Sequence, residues 1–256
     1  MSELRDEQQD RHRLRRGPVI AVLSVAVLVL LTLSGVLGAQ LLFSDDEEPP
    51  AGGATTSSAP PSSQPVIRDD LKVTVGEGGS AASEHDPSVP VGYEPTCKGA
   101  VEAATNYLVG LDYTKATSGE LSQEEYVALT EELTTGEYQE SSVQSTREML
   151  EEFGDAKSPR GSIRPDWGGF TVAECTEEES ATVQIVHAYD YWGEGEFYYA
   201  TSSTTLAWVD GDWKISGTDQ AEAPTTLPEE PVTEPDDEVS TLVGTHTQWE
   251  NYEDAS

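Results

Sequence analysis

An α+β fold is predicted for this chain, with helices first and an antiparallel sheet after them. Three observations carry it. Between Cys97 and Phe153 apolar residues recur at spacings of three and four, the period of a helix face. Two Ser/Thr-x-x-Glu sequences, Ser122 to Glu125 and Thr134 to Glu137, stand where helices would begin. Beyond Gly154 the period changes to two, the alternation of half-buried strands.

Each element follows from local chemistry. The first helix runs from about Cys97 to Leu111, with Thr96 as its N-cap and Val101, Ala104, Leu108 and Leu111 on one face. The second opens at Ser122 and presents Tyr126, Leu129 and Leu133. The third presents Tyr138, Val143, Thr146, Leu150 and Phe153. Gly161 to Cys175 reads as a strand that Pro165 and the pair Gly168-Gly169 interrupt, so a bulge or bend is expected there. Ala181 to Tyr191 alternates, placing Val183, Ile185, His187, Tyr189 and Tyr191 on one face. Trp192 to Gly195 is a turn, Glu196 to Val209 a long strand, and Asp210-Gly211 a type I′ hairpin turn into a last strand with Trp213 and Ile215. The expected domain is three helices packed on a curved antiparallel four-stranded sheet, spanning residues 95–220.

The flanks differ in kind. Val19 to Phe43 is a run of 25 residues without a charge. As a helix it reaches about 37 Å, enough to cross a hydrocarbon core of roughly 30 Å. A transmembrane helix is therefore expected over 18–43, and the lipid bilayer is the first partner. A cleaved signal sequence is the alternative, against which stands an apolar run longer than a signal core. Arg13, Arg15 and Arg16 precede the span, and Asp45, Asp46, Glu47 and Glu48 follow it. The positive-inside rule puts a tail over 1–17 in the cytoplasm and the rest outside a plasma membrane. Ser34, Gly35 and Gly38 form a small-residue face on which a second copy could pack as a homo-oligomer. Residues 44–94 and 221–256 are rich in Pro, Ser, Gly, Thr and acids, so a disordered stalk and a disordered acidic tail are expected. Val66 to Val75 is more strand-like and could dock on the domain, and Trp249 and Tyr252 could form a short docking peptide in the tail.

The formal charge is −34. Residues 1–17 hold five Arg against four acidic residues, so the acidic excess lies wholly downstream. Such a surface repels nucleic acid, which is excluded as a partner of the outer domain. Cys97 and Cys175 are the only cysteines, and both fall outside the membrane on this topology. An even count in an oxidising compartment reads as a disulfide, with two buried free thiols as the alternative. Two cysteines without a paired-His motif make a poor zinc site.

The stretch Gly99-Ala100-Val101-Glu102-Ala103-Ala104-Thr105-Asn106-Tyr107-Leu108, preceded by Pro90-Val91-Gly92-Tyr93, resembles a family of uncharacterised actinobacterial single-pass membrane proteins. The helix order and the terminal hairpin Leu206 to Ile215 are similar to those of nuclear-transport-factor-2-like cones. Membrane-anchored conjugation and type IV secretion components share the anchor, stalk and cone. The resemblance covers about half the chain and implies a cone-like domain in an envelope assembly, with no catalytic residues.

Of four histidines only His187 falls in a regular strand. With Tyr189, Tyr191, Asp190 and Trp192 it could line a ligand pocket or form an acid/base pair, although Asp190 points to the opposite face. Packing within an aromatic sheet face is the structural alternative. The acidic runs at 45–48 and 236–238 lack calcium-loop spacing. No glycine-rich phosphate loop, nucleophile elbow or metalloprotease helix is present. No catalytic residue, metal site or cofactor is expected. Two function classes remain. One is a non-catalytic envelope protein making protein–protein contacts, in a secretion or conjugation assembly. The other is a ligand-binding or enzymatic cone. Whether the space between helices and sheet is filled by side chains or left as a polar cavity separates them.

Overall fold

A computed structural model describes residues 71–153, 159–237, 239 and 249–253. The expected span over 18–43 and most of the stalk lie outside them. Among the described residues no helix is long and apolar enough to cross a membrane.

The domain is α+β, as its periodicity predicts. Helices α1 (Cys97–Gly110), α3 (Gln123–Leu133) and α4 (Gly136–Phe153) match the expected three, and a five-residue helix α2 (Thr114–Ser118) was not foreseen. Its span is too short for a hydrophobic period to register. The Thr96 hydroxyl caps α1 by accepting from Gly99 N at 3.1 Å. Ser122 and Glu125 form the reciprocal capping box of α3, at 3.2 and 2.8 Å. Thr134 behaves otherwise than expected: its hydroxyl donates back to the Thr130 carbonyl at 2.6 Å, inside the preceding helix.

Four long strands form the meander: β3 (Ser162–Thr176), β4 (Ser180–Asp190), β5 (Tyr198–Val209) and β6 (Asp212–Asp219). The expected break in β3 is present, since pairing with β4 jumps from Arg164↔Ala188 to Gly169↔Val186. Gly168 sits so close to β4 that a Cβ there would lie 2.1 Å from the Val186 carbonyl oxygen. Asp210 and Gly211 both have positive φ, 54° and 86°, the signature of the expected hairpin turn.

The sheet differs from the expected four strands by a fifth, β7 (Glu250–Asn251), which pairs antiparallel with β3 and gives the order β6-β5-β4-β3-β7. A strand of two residues carries no period of its own. The packed domain is also wider than 95–220. Upstream, a small hairpin of β1 (Ala81–Ala82) and β2 (Pro90–Val91) joins the domain, and Val73, Val89 and Tyr93 are buried at 0–3% exposure. Downstream, Val232 bridges to Phe197 and Val239 is buried. Residues 71–94, much of 221–237, Val239 and residues 249–253 are thus packed on the domain rather than forming stalk and free tail. Their apolar residues are few, but each fills a site that the helices and strands leave open.

The helices cover one face of the sheet. Leu129, Leu133, Phe170, Val183, Ile185, Leu206 and Trp213 are buried with Tyr107 in the resulting core. The other face is covered by the C-terminal segment, where Trp167, Val186, Ala188 and Tyr199 are buried with Val239. The alternating reading placed only one face of β4 in a core. The structure buries both, because the downstream segment supplies a second layer.

Cys97 and Cys175 are bonded, joining the start of α1 to the end of β3 across 78 residues. This confirms the disulfide and excludes the free-thiol alternative. Closing so long a loop removes much conformational freedom from the unfolded chain. Replacing Cys97 by Ser, with Cys175 also changed to Ser to avoid a stray thiol, is expected to cost roughly 2–5 kcal/mol. Denaturant unfolding of the two proteins measures it, and equal midpoints would contradict it.

Candidate functional site

The sequence-predicted candidates lie together at one end of β4. Ile185 is part of the helix-side core, and His187, Tyr189 and Tyr191 continue outward along the same face. The Tyr189 ring lies 4.5 Å from Tyr191, 6.0 Å from Tyr198 and 6.2 Å from His187. Tyr113, in the connection after α1, approaches Tyr191 to 5.3 Å and stacks on Phe153 of α4 at 6.1 Å. Trp192 stands edge-on to Tyr191 and Tyr198 and is the one large hydrophobic side chain classed as exposed among the described residues. The face is therefore an aromatic cap over the end of the core, half open to solvent.

His187 is 6% exposed, and among the described residues its Nδ1 has no hydrogen-bond partner of good geometry. Burial pulls the imidazole down to about 4 from an ordinary value of 6.5. Asp190 does not join it. Its carboxylate accepts from Trp192 N at 2.9 Å and Gly195 N at 2.7 Å, which holds the turn after β4 in shape. The structure thus brings His187, Tyr189, Tyr191 and Trp192 into one cluster and separates Asp190 from them.

Sequence reasoning missed three buried charge clusters. Lys115 pairs with Asp86, and Ser88 binds both, within a region nearly closed to water. Burial opposes ionisation of Asp86, but the bonds from Lys115 and Ser88 prevail and hold its carboxyl below the ordinary range. Arg160 pairs with Asp112 and Glu120 and binds Thr114 Oγ1 at 2.7 Å. Asp212 accepts from Tyr93 N at 3.0 Å, Trp213 N at 2.9 Å and the Tyr107 hydroxyl at 3.1 Å, with Lys214 Nζ at 3.4 Å. Burial raises the Tyr107 phenol far above its ordinary value, with the Asp212 charge adding to it. These charges lie in loops, in the short helix α2 and at the start of β6, where no local sequence pattern marks burial or reveals a partner. All three clusters are internally satisfied, so each holds segments together and presents no free group for chemistry.

The space between helices and sheet is filled by side chains, chiefly Tyr107, Tyr126, Leu129, Phe170 and Trp213. Two open grooves, of about 390 and 470 Å³, run along the outer side of α3 and α4 and share Glu131 and Arg147. Their floor is Val127, Ala128, Val143 and Leu150. Among the described residues no group of three His, Cys, Asp or Glu side chains is placed to hold a metal ion.

The family described as Domain of unknown function (DUF8175) matches residues 78–236. That match covers more than half the chain, which therefore belongs to this family. Its span takes in every element from the β1–β2 hairpin to β6, and it leaves out the buried Val73 and Val239 and strand β7. No curated protein and no solved structure matches the chain.

Burial of His187 makes a pH dependence. Between about 4 and 6.5 the unfolded chain takes up a proton that the folded chain refuses, so stability falls as pH is lowered through that window. From pH 7 to pH 4.5 the loss from this group is roughly 2 kcal/mol. The His187→Phe protein is expected to lose less than the wild type by that amount, in urea unfolding at the two pH values. Equal losses would mean that the imidazole protonates freely in the folded state.

Proposed function

We propose that the chain is a single-pass membrane protein with its N-terminus in the cytoplasm, and that its α+β domain works outside the cell as a non-catalytic contact module. The observation that carries this reading is the disulfide between Cys97 and Cys175, a bond that persists in oxidising compartments. It agrees with the uncharged run Val19 to Phe43 and the arginines before it. Two features support contact rather than catalysis. The interior is packed with side chains, and the buried charges are paired within the domain. The α3–α4 hairpin offers the contact surface: residues 123–153 hold nine Glu and a single basic residue, Arg147, around the apolar groove floor. A basic partner surface in the cell envelope fits it. The likeness of helix order to nuclear-transport-factor-2-like cones extends the proposal to an accessory part in a secretion or conjugation assembly.

A second reading, a ligand-binding or enzymatic pocket, is favoured by the Nδ1 of His187 beneath the aromatic cap, which has no partner of good geometry among the described residues.

Protease added to intact protoplasts is expected to release the domain and leave a membrane-bound stub; protection of the domain would overturn the topology. A photo-crosslinker in place of Glu131 is expected to give a discrete adduct in cells, lost when Glu124 and Glu140 are changed to Lys. No adduct from a domain correctly displayed outside would overturn the contact reading and leave the topology standing.

A further inference from the structure

The C-terminal residues 249–253 occupy the free edge of the sheet in a manner typical of peptide ligands. Glu250 and Asn251 pair antiparallel with Phe170 and Gly169 of β3. Tyr252 inserts into the helix-side core: its ring lies 5.1 Å from Phe170, and its hydroxyl meets Thr105 Oγ1 of α1 at 2.9 Å. Burial drives its phenol well above the ordinary value. Glu253 N donates to the Val73 carbonyl at 2.8 Å, and the Glu253 carboxylate pairs with Lys72 at 2.9 Å. Trp249 packs on the opposite face of the sheet, with the cluster around Trp167. The segment thus straddles the edge strand, with one aromatic on each face.

Three features separate it from an ordinary integral strand. It pairs over only two residues of a 15-residue strand, and no other described strand uses that edge. It lies outside the region that defines the family, which ends at residue 236. Its anchoring is that of strand-addition ligands: main-chain bonds to an edge, plus a side chain in a slot beside it.

We propose that the β3 edge and the Tyr252 slot form a peptide-binding site, filled in the resting chain by its own residues 249–253. The ligand class is an extended acidic peptide with an aromatic residue followed by a carboxylate. The aromatic ring takes the slot between Thr105 and Phe170, the main chain adds to β3, and the carboxylate meets Lys72. The tail holds the site by tethering, because an attached ligand acts at an effective concentration on the order of millimolar. The inference does not depend on the membrane topology or on the α3–α4 contact surface.

The test uses the full chain and a fluorescent peptide of residues 247–256, Thr-Gln-Trp-Glu-Asn-Tyr-Glu-Asp-Ala-Ser. The Tyr252→Ala protein has a weakened tail and an empty slot. It is expected to bind the peptide saturably with a Kd below ~0.1 mM, at least about tenfold tighter than the wild type, whose tail competes at millimolar effective concentration. A peptide with Ala in place of its Tyr is expected not to bind. Should Tyr252→Ala fail to fold, Tyr252→Phe, which removes only the tail's own hydroxyl and leaves the slot intact, is measured in its place with intermediate binding expected. A folded variant that ignores the peptide, equal binding by wild type and variant, or loss of fold in both variants would overturn the proposal. The last outcome would show the tail to be an integral strand.

Discussion

β4 has both of its faces out of water, and most of the architecture answers that constraint. Val183 and Ile185 face the helices, while Val186 and Ala188 face the downstream segment. A central strand of this kind needs a layer on each side, since any bare face would expose apolar surface at about 25 cal/mol per Å². The helices supply one layer through amphipathic faces. The other is assembled from Phe197, Leu227, Val232, Val239 and Trp249, spread over more than fifty residues of chain. Sparse hydrophobic residues in an acidic, proline-rich sequence suffice, because the sheet arranges the surface that they cover.

The connection after α1 is the second organising point. Asp112 and Lys115 lie three residues apart, yet each reaches a different distant segment, Arg160 at the start of β3 and Asp86 in the upstream hairpin. A pair as buried as Lys115–Asp86 contributes little net stability when both members are present, and several kcal/mol are lost if one is removed; Arg160, one-third open to water, is worth less. Their role is to specify where two segments of low hydrophobicity lie. Asp212 does the same for Tyr93 and Tyr107, fixing the upstream segment to the last hairpin.

Much of this was legible in the sequence, and the boundary of legibility is physical. Long periodic elements announced themselves: α1, α3 and α4 by apolar spacing, β4 by alternation, and the turn at Asp210-Gly211 by backbone tolerance. The bulge at Gly168 was visible because Pro and Gly interrupt an otherwise continuous strand. The pairing of Cys97 with Cys175 followed from the even count of cysteines and the compartment that the sequence leads one to expect. What stayed hidden lacks a local period. α2 has five residues and β7 has two, and Tyr252 is core only because Thr105 and Phe170 lie opposite it. Within the candidate site, the strand face that unites His187, Tyr189 and Tyr191 was readable, whereas the contributions of Tyr113, from the connection after α1, and Phe153, from the end of α4, arrive from far away in sequence.

The contact between Lys72 and Glu253 places the first and last described segments of the domain side by side. In such a fold the order in which the chain visits its elements is nearly free of geometric cost. A short linker joining these two segments, with new ends opened at the exposed turn around Gly195, would yield a circular permutant that keeps the same sheet order and the same disulfide. By the same adjacency, a reporter fused behind residue 253 emerges at the point where the chain enters the domain.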